Sequence, residues 1–167
     1  MSNIIIREAK LEDAKDKGYV HYKSWQETYA GIINQEYLDK MSIEKCVAIA
    51  EKYPENTLIA EFDGKVTGFL CYSQCRDMDY EDCAEIVAVY VLKEYHKKGI
   101  GKMLMDEAIK KLSEYKKLIL WVLDNNKNAI GFYEKYGFSL DGTKKEAVLV
   151  TPVTELRMVK DIYKEIR

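Results

Sequence analysis

The stretch AEIVAVYVLKEYHKKGIGKMLMDEAIKKLSEY, residues 84–115, decides the fold of this chain. It begins with apolar, β-branched residues that predict a strand, namely Ile86, Val87, Val89 and Val91. It ends with apolar residues at helical spacing that predict a helix, namely Leu104, Ala108, Leu112 and Tyr115. Between them lies a short polar turn that contains Gly99 and Gly101. The pattern is therefore strand, glycine turn and helix.

This arrangement favours the binding of an anion at the glycine turn. The first N–H groups of a helix have no partner inside the helix, and the helix dipole adds partial positive charge there. Gly99 and Gly101 would let a phosphate approach this backbone closely. A plain strand-to-helix connection would contain the same glycines, so a second signal is needed to decide.

Two common phosphate-binding motifs fit the turn poorly. A P-loop requires G-x-x-x-x-G-K-[ST], but here Met103 follows Gly101-Lys102 and His96 occupies the position of the first glycine. A dinucleotide-binding fingerprint requires a third glycine, where this chain has Leu104, and a shorter turn after the strand. Asp124, about 20 residues further on, does favour the dinucleotide motif, which leaves a Rossmann-type nucleotide enzyme as an alternative.

A third pattern fits better. The stretch HKKGIG, residues 96–101, resembles the Gln/Arg-x-x-Gly-x-Gly/Ala pyrophosphate loop of the GCN5-related N-acetyltransferase (GNAT) family. The stretch NKNAIGFYEKYGF, residues 126–138, is similar to a second motif of that family, N-x-x-A-x-x-F-Y-x-x-x-G-F. Two motifs in the right order and separation make the match specific, although His96 replaces the usual Gln or Arg and Lys93 stands where a proline is common.

The resemblance implies an α/β fold in a single domain that covers residues 1–167. We expect a mixed, mostly antiparallel sheet of about seven strands, flanked by helices. One parallel pair, formed by the strands at Glu85 and Leu118, is expected to splay apart and to admit the pantetheine arm of acetyl-CoA. The sequence also predicts a hairpin around Asp63-Gly64 and two final strands, from Phe138 to the Pro152 region and over 154–160.

Acetyl-CoA is the co-substrate that the resemblance implies, with no metal. The strand backbone at 89–91 is expected to pair with the coenzyme arm, and the turn at 96–102 to bind the pyrophosphate largely through backbone N–H groups. The predicted coenzyme-binding residues are Val89, Tyr90, Val91, His96, Lys97, Lys98, Gly99, Ile100, Gly101, Lys102, Asn126, Ala129 and Tyr133.

Two side chains are candidates for the chemistry of acetyl transfer. Tyr133 matches the family tyrosine that faces the coenzyme sulfur and protonates the departing thiolate. Glu85 matches the strand glutamate that removes a proton from the acceptor in one branch of the family. Such a base is needed because an alkylamine has a pKa of about 10.4 and is mostly protonated at neutral pH. The structural alternative for Tyr133 is packing in an aromatic cluster. For Glu85 it is a position at an ordinary strand end.

The acceptor side is less well defined by the sequence. Trp25, Tyr29 and Tyr37 fall in the first two helices, which line the acceptor in relatives, but they are equally suited to the core. The acidic loop, residues 77–82, has four acids in six residues and would attract a cationic acceptor. A homodimer is possible by analogy with the family.

Composition limits the other functions. The chain has 167 residues, 47% of them apolar, and a net charge of −2 without a basic stripe, which argues against a nucleic-acid partner. We find no run of the length of a membrane span and no signal-peptide layout at 1–7, so a cytoplasmic protein is expected. The four cysteines form no C-x-x-C motif, which favours free thiols over a zinc site.

The sequence thus predicts an acetyl-CoA-dependent N-acetyltransferase that acts by direct transfer to a primary amine. An acyl-CoA-binding module without catalysis and a Rossmann-type enzyme are the alternatives. The sequence identifies the acceptor only as an amine, because polyamines, amino acids, drugs, peptide N-termini and protein lysines all satisfy the pattern.

Overall fold

Seven strands form one mixed sheet, in the order β1-β2-β3-β4-β5-β7-β6. The computed structural model describes residues 2–163. The strands are β1 Ile4–Glu8, β2 Thr57–Phe62, β3 Lys65–Gln74, β4 Cys83–Val91, β5 Lys117–Leu123, β6 Ser139–Leu149 and β7 Thr151–Asp161.

Five α-helices connect and cover these strands. Three of them lie between β1 and β2, one provides the crossover from β4 to β5, and one joins β5 to β6. They are α1 Ala14–Tyr29, α2 Gln35–Asp39, α3 Ile43–Lys52, α4 Ile100–Lys111 and α5 Lys127–Tyr136. Within residues 2–163, none of these helices is long and apolar enough to span a membrane.

The strands β4 and β5 form the parallel pair that the sequence predicts. Their pairing covers only three residue pairs and ends at Glu85 and Ile119. The rest of β4 runs beside β3 alone, so a gap opens between β4 and β5 beyond Glu85. All other neighbouring strands are antiparallel, which rules out the doubly wound parallel sheet of the Rossmann alternative.

Two of the three hydrophobic cores formed by residues 2–163 hold the sheet between helices. On one face, Leu104 and Met105 of α4 and Ile130 of α5 pack onto the sheet in the main core. On the other face, Val20 of α1 packs against Phe69 of β3 in a smaller core. Full burial of an aliphatic side chain contributes about 1.5–3 kcal/mol relative to exposure. The gap between β4 and β5 is therefore kept open by well-packed elements on both sides.

A β-bulge at Val87 changes which side chains of β4 face each core. Opposite β3, Cys71 pairs with Ala88 and Tyr72 pairs with Ile86, so Val87 is the extra residue. Ala84, Ile86, Val89 and Val91 consequently share the main core, whereas Ala88 and Tyr90 face the core beside α1. A bulge both bends a strand and shifts its side-chain alternation.

Two boundaries differ from the sequence-based expectation. Helix α4 ends at Lys111, so Tyr115 lies outside it, although Leu112 still caps the helix and is buried. The break between the last two strands falls at Val150, and Pro152 therefore belongs to β7 rather than to β6. Val150 adopts a left-handed φ of 69°, which closes the tight connection between the two strands.

Candidate active site

The free edge of β4 offers unpaired backbone groups to the gap. Leu92 N donates to Thr67 O on the β3 side. Because successive residues of a strand point their backbone groups to opposite sides, the N–H and C=O groups of Val89 and Val91 point away from β3, towards the gap. No strand pairs with β4 on that side beyond Glu85. A ligand lying in the gap would therefore find strand-like hydrogen-bonding partners at Val89 and at the N–H of Val91, whereas Val91 O already accepts from His96 Nε2.

The turn before α4 has the backbone of an anion-binding site. Gly99 caps the helix in the left-handed conformation, with a φ of 80°, and Met103 N donates to Gly99 O. The N–H groups before Met103 are the unpaired ones at the helix start. Lys97 is also left-handed, with a φ of 63°. Alternating left- and right-handed residues aim successive N–H groups into one concavity, which suits a phosphate.

The side chains of this turn are mostly engaged elsewhere. The Nζ atom of Lys98 lies 5.4 Å from the centre of the Phe62 ring, and Lys102 Nζ pairs with Asp106 at 2.7 Å. His96 Nε2 bonds Val91 O at 2.8 Å, and the backbone N of His96 donates to Lys93 O. Because a carbonyl only accepts, Nε2 carries the proton. His96 thus positions the end of β4 against the turn, and its predicted contact with coenzyme stays a prediction.

Gly101 brings the two sequence motifs together. A Cβ atom at this position would lie 3.3 Å from Cζ of Phe132 in α5, which is tighter than ordinary van der Waals contact. The glycine therefore lets the first turn of α4 pack closely against α5. A larger residue at this position would require the ring of Phe132 to shift.

Asn126 and Ala129 form the start of α5. Asn126 is buried, and its Oδ1 atom accepts from Ala129 N at 3.3 Å as the N-cap of the helix. This cap fixes the direction in which α5 leaves β5. The coenzyme contact predicted for both residues stays a prediction beside this structural role.

Tyr133 lies on α5 among the aromatic side chains of the main core, with its ring 5.3 Å from Phe132 and 5.8 Å from Phe138. It interacts electrostatically with Tyr29 and Tyr90, which come from the other side of the sheet. Burial first, and then Tyr29, raises the pKa of Tyr133 well above its usual range. The hydroxyl is accordingly protonated at neutral pH, as a proton donor must be.

Facing Tyr133 is an aromatic wall, which we define as His21, Trp25, Tyr29, Tyr37 and Tyr90. Trp25 is at its centre, and its ring lies 4.6 Å from Tyr29, 5.8 Å from Tyr37 and 6.3 Å from Tyr90. His21 stacks on Tyr90 at 6.0 Å. Trp25, Tyr29 and Tyr37 therefore lie together as the sequence suggested, while His21 and Tyr90 complete a surface that was not foreseen.

The polar atoms of the aromatic wall are only loosely satisfied. Trp25 Nε1 is buried and has no hydrogen-bond partner of normal geometry, although it is close enough to Tyr90 to lower the pKa of that hydroxyl. Burial outweighs this effect and raises the pKa of Tyr90, as it also raises that of Tyr29. Burial, and then Lys17, lowers the pKa of His21 to about 4. The wall is therefore uncharged at neutral pH.

Glu85 is buried at the point where β4 and β5 part, with 3% of its side chain exposed. Arg76, which is mostly exposed, holds both of its carboxylate oxygens at 3.0 and 2.6 Å. The hydrogen bonds to Glu85 raise the pKa of Arg76. The structure thus gives Glu85 a partner that sequence reasoning missed, and its role as base stays a prediction.

Most of the acidic loop is paired within the protein. Arg157 of β7, with 4% of its side chain exposed, binds Asp77 at 3.0 Å, Asp79 at 2.6 Å and Asp141 at 2.7 Å. Asp82 pairs with Lys116 at 2.8 Å. The loop is thereby fastened onto the sheet. Arg157 and Lys116 compensate only part of the negative charge, so the idea that the loop attracts a cationic acceptor loses part of its basis.

Comparison with known proteins agrees with this geometry. The family model described as the acetyltransferase (GNAT) family matches residues 17–138. The chain belongs to the GNAT family of acetyltransferases. A probable N-acetyltransferase of Mycobacterium tuberculosis is 32% identical over 84% of this chain and 83% of its own length. A spermidine N(1)-acetyltransferase of Thermoplasma acidophilum is 29% identical over 84% of this chain and 91% of its own.

Solved structures place the GNAT fold over nearly the whole chain. An N-acetyltransferase from Thermoplasma acidophilum, in complex with coenzyme A, superposes with a TM-score of 0.74 at 28% identity and covers 95% of this chain and 99% of that one. A putative acetyltransferase of Salmonella typhimurium with acetyl-CoA has a TM-score of 0.71 at 21% identity, over 96% of this chain and 94% of that one, and supports the fold alone. The predicted GNAT fold and family are confirmed.

Proposed function

We propose that this GNAT enzyme transfers the acetyl group of acetyl-CoA directly to a primary amine, without an acyl-enzyme intermediate. The observation that carries the proposal is the free edge of β4 at Val89 and Val91, followed along the chain by the left-handed turn at Gly99. The half-buried, protonated Tyr133 is the proton donor in this proposal. Relatives that are named N-acetyltransferases support the reaction class.

In this proposal, the pyrophosphate lies on the N–H groups of residues 97–102 and the pantetheine arm lies along the free edge of β4. The amine then attacks the thioester carbonyl, whose developing negative charge is stabilised by the Val89 N–H. The C–N bond forms first and the C–S bond then breaks; Glu85 accepts the proton that the amine nitrogen loses, and Tyr133 donates its proton to the departing thiolate. Direct transfer needs no protein nucleophile at the thioester, and the motif residues supply none.

The aromatic wall favours a cationic amine as acceptor. It faces Tyr133 and presents uncharged π faces, which attract ammonium groups by about 0.5–2 kcal/mol each. Glu155 of β7 adds negative charge beside Tyr29, although Lys145 lies 3.5 Å from it. A polyamine has one amine to react and others to be held by such a wall. The relative named as a spermidine acetyltransferase supports this class.

An acceptor panel tests the proposal. Purified protein with acetyl-CoA is assayed against polyamines, amino acids, aminoglycosides, peptides with free N-termini and lysine-containing peptides, with released thiol as the readout and product mass as confirmation. We expect thiol release and a mass increase of one acetyl group with a polyamine. Coenzyme binding without turnover for every amine would instead support a binding module. A covalently acetylated protein that forms and decays during turnover would contradict direct transfer.

A further inference from the structure

Two of the four cysteines face each other across the base of the acidic loop. The register of β3 and β4 ends with the pair Gln74 and Ala84, so Cys75 and Cys83 are the next opposed residues. Cys75 N donates to Cys83 O at 3.1 Å, which continues the ladder by one step. Opposed residues in an antiparallel ladder have Cα atoms about 4.5–5.5 Å apart and side chains on the same face. Disulfides span Cα distances of about 4.4–6.8 Å.

The two thiols of this pair differ in solvent accessibility. Cys83 is 4% exposed, whereas Cys75 is half-buried. Burial, followed by the neighbouring Cys75, raises the pKa of Cys83. Both are free, with Cys75 Sγ directed to Asp77 O at 3.5 Å and Cys83 Sγ to Ala84 O at 3.4 Å. A reagent in solution therefore meets Cys75 first, with Cys83 placed behind it.

The segment that the pair encloses is the one fastened onto the candidate active site. It contains Arg76, which holds Glu85, and Asp77 and Asp79, which hold Arg157. A covalent bond between Cys75 and Cys83 would fix both ends of this segment at the strand where β4 begins. A modification of this pair would therefore be separated from Glu85 by one residue, Arg76.

We propose that Cys75 and Cys83 form a dithiol site that a low-molecular-weight disulfide, such as glutathione disulfide, oxidises to an intramolecular disulfide. The Cys75 thiolate attacks one sulfur of glutathione disulfide and releases one glutathione thiolate. The Cys83 thiolate then attacks Cys75 Sγ in the mixed disulfide and releases the second glutathione. The protein loses two protons and two electrons, and glutathione disulfide gains them as two glutathione thiols.

Thiol counting on the native protein tests this site without reference to acetyl transfer. The chain is equilibrated with glutathione disulfide, free thiols are alkylated, and intact mass is measured. We expect the number of free thiols to fall from four to two and to return to four with dithiothreitol. Trypsin cuts after Arg76, so the disulfide links peptide 66–76 to peptide 77–93. Retention of four thiols, or the formation of only intermolecular disulfides, would overturn the proposal.

Peptide 66–76 also contains Cys71, so matched variants are needed to assign the bond. The linked peptides should persist in Cys71→Ser and disappear in Cys75→Ser and in Cys83→Ser. If Cys71→Ser abolishes the link, the assignment is wrong. Because the bond closes a loop in a geometry that the ladder already provides, the Tm of the oxidised wild type should rise by several degrees. A fall in Tm would show that the native backbone does not accommodate it.

Discussion

The two sides of the gap between β4 and β5 are built from different parts of the chain. The coenzyme side consists of backbone: the free edge of β4 and the turn capped by Gly99. The acceptor side consists of side chains, which are the aromatic rings around Trp25. Backbone groups are the same whatever the residue, so the first side can bind the same ligand even when its amino-acid sequence varies. The second side changes with every substitution, so in our proposal it selects the acceptor.

This difference explains the departures from the family motif. His96 replaces Gln or Arg, yet its ring bonds Val91 O and its exchange leaves the N–H groups of residues 97–102 in place. By contrast, the four rings around Trp25 come from three separate elements, α1, α2 and β4. Loss of any one opens the aromatic wall. The following five predictions test whether the two sides are as distinct as this.

The largest effect is expected for Tyr133→Phe, at the point where the two sides meet. The variant keeps the ring in the core and removes one hydroxyl, so kcat should fall roughly 10²-fold, the lower end for a lost proton donor. Calorimetry should show nearly unchanged affinity for acetyl-CoA. Tyr136→Phe is the matched control on the same helix, because its hydroxyl bonds Asp106 and does not face the aromatic wall. Equal kcat in Tyr133→Phe and wild type would refute the assignment.

Gly101→Val should break the coenzyme side. The side chain would obstruct the approach of the pyrophosphate and also press on Phe132, so we expect at least a tenfold rise in the Kd of acetyl-CoA, by order of magnitude, together with a lower Tm. The double variant Gly101→Val/Phe132→Leu separates the two effects. It should recover stability but not affinity. Recovery of both would mean that the glycine serves packing alone.

Glu85→Gln tests the proposed base, which lies between the coenzyme side and the acceptor side. It keeps the size of the side chain but removes the carboxylate and replaces one of the two oxygens that accept from Arg76, so kcat/KM should drop about tenfold, and most at low pH, where neutral amine is scarce. Arg76→Gln is the companion variant, because it frees the carboxylate that Arg76 now holds. If the pH–rate profile of Glu85→Gln overlays that of the wild type, another group or bulk water is the base.

Trp25→Leu should break the acceptor side only. Loss of one cation–π surface predicts a rise of roughly two- to thirtyfold in the KM of a cationic acceptor, with the Kd of acetyl-CoA unchanged. Tyr53→Leu is a control, since Tyr53 is an exposed aromatic residue after α3 and lies outside the aromatic wall. A matching loss of coenzyme affinity in Trp25→Leu would show that the two sides are not separable.

The smallest effect is expected in the acidic loop. Asp77 and Asp79 compensate the buried Arg157, so neutralising them would destabilise the fold and confuse the assay. Glu81 makes no ion pair with any described residue and is the cleaner test. Glu81→Gln should change kcat/KM less than about twofold at any salt concentration, because exposed charges are screened within about 10 Å at 0.1 M. A clear loss of salt dependence would restore the loop as an attractor.

Much of the fold was predictable because it depends on local sequence. Apolar residues at strand and helix periods located β4, α4 and β5, and the residues at 126–138 located α5 with its Asn126 cap. The turn at Gly99 was predictable because a left-handed helix cap favours glycine. The predicted coenzyme residues accordingly lie along one path, from the free edge of β4 through the turn to the start of α5.

The sequence failed where partners are distant in the chain. Nothing near Glu85 in the sequence indicates that Arg76 will pair with it across the β3–β4 loop. Likewise, nothing near the acidic loop indicates Arg157, which lies 80 positions after Asp77. The bulge at Val87 was equally hidden, although it decides that Tyr90 faces the aromatic wall. Residue types alone cannot report a register shift, because either register of an apolar strand satisfies the same pattern.

By itself, the sequence determined the order of elements, the glycine turn and the family to which the chain belongs, because each rests on periodicity or on residues that are neighbours in the chain. Only the tertiary structure decided where charges are compensated, which rings surround Trp25 and which thiols meet at the base of the acidic loop. Those outcomes depend on distances between residues far apart in sequence. Such distances are set by the packing of whole elements around the sheet.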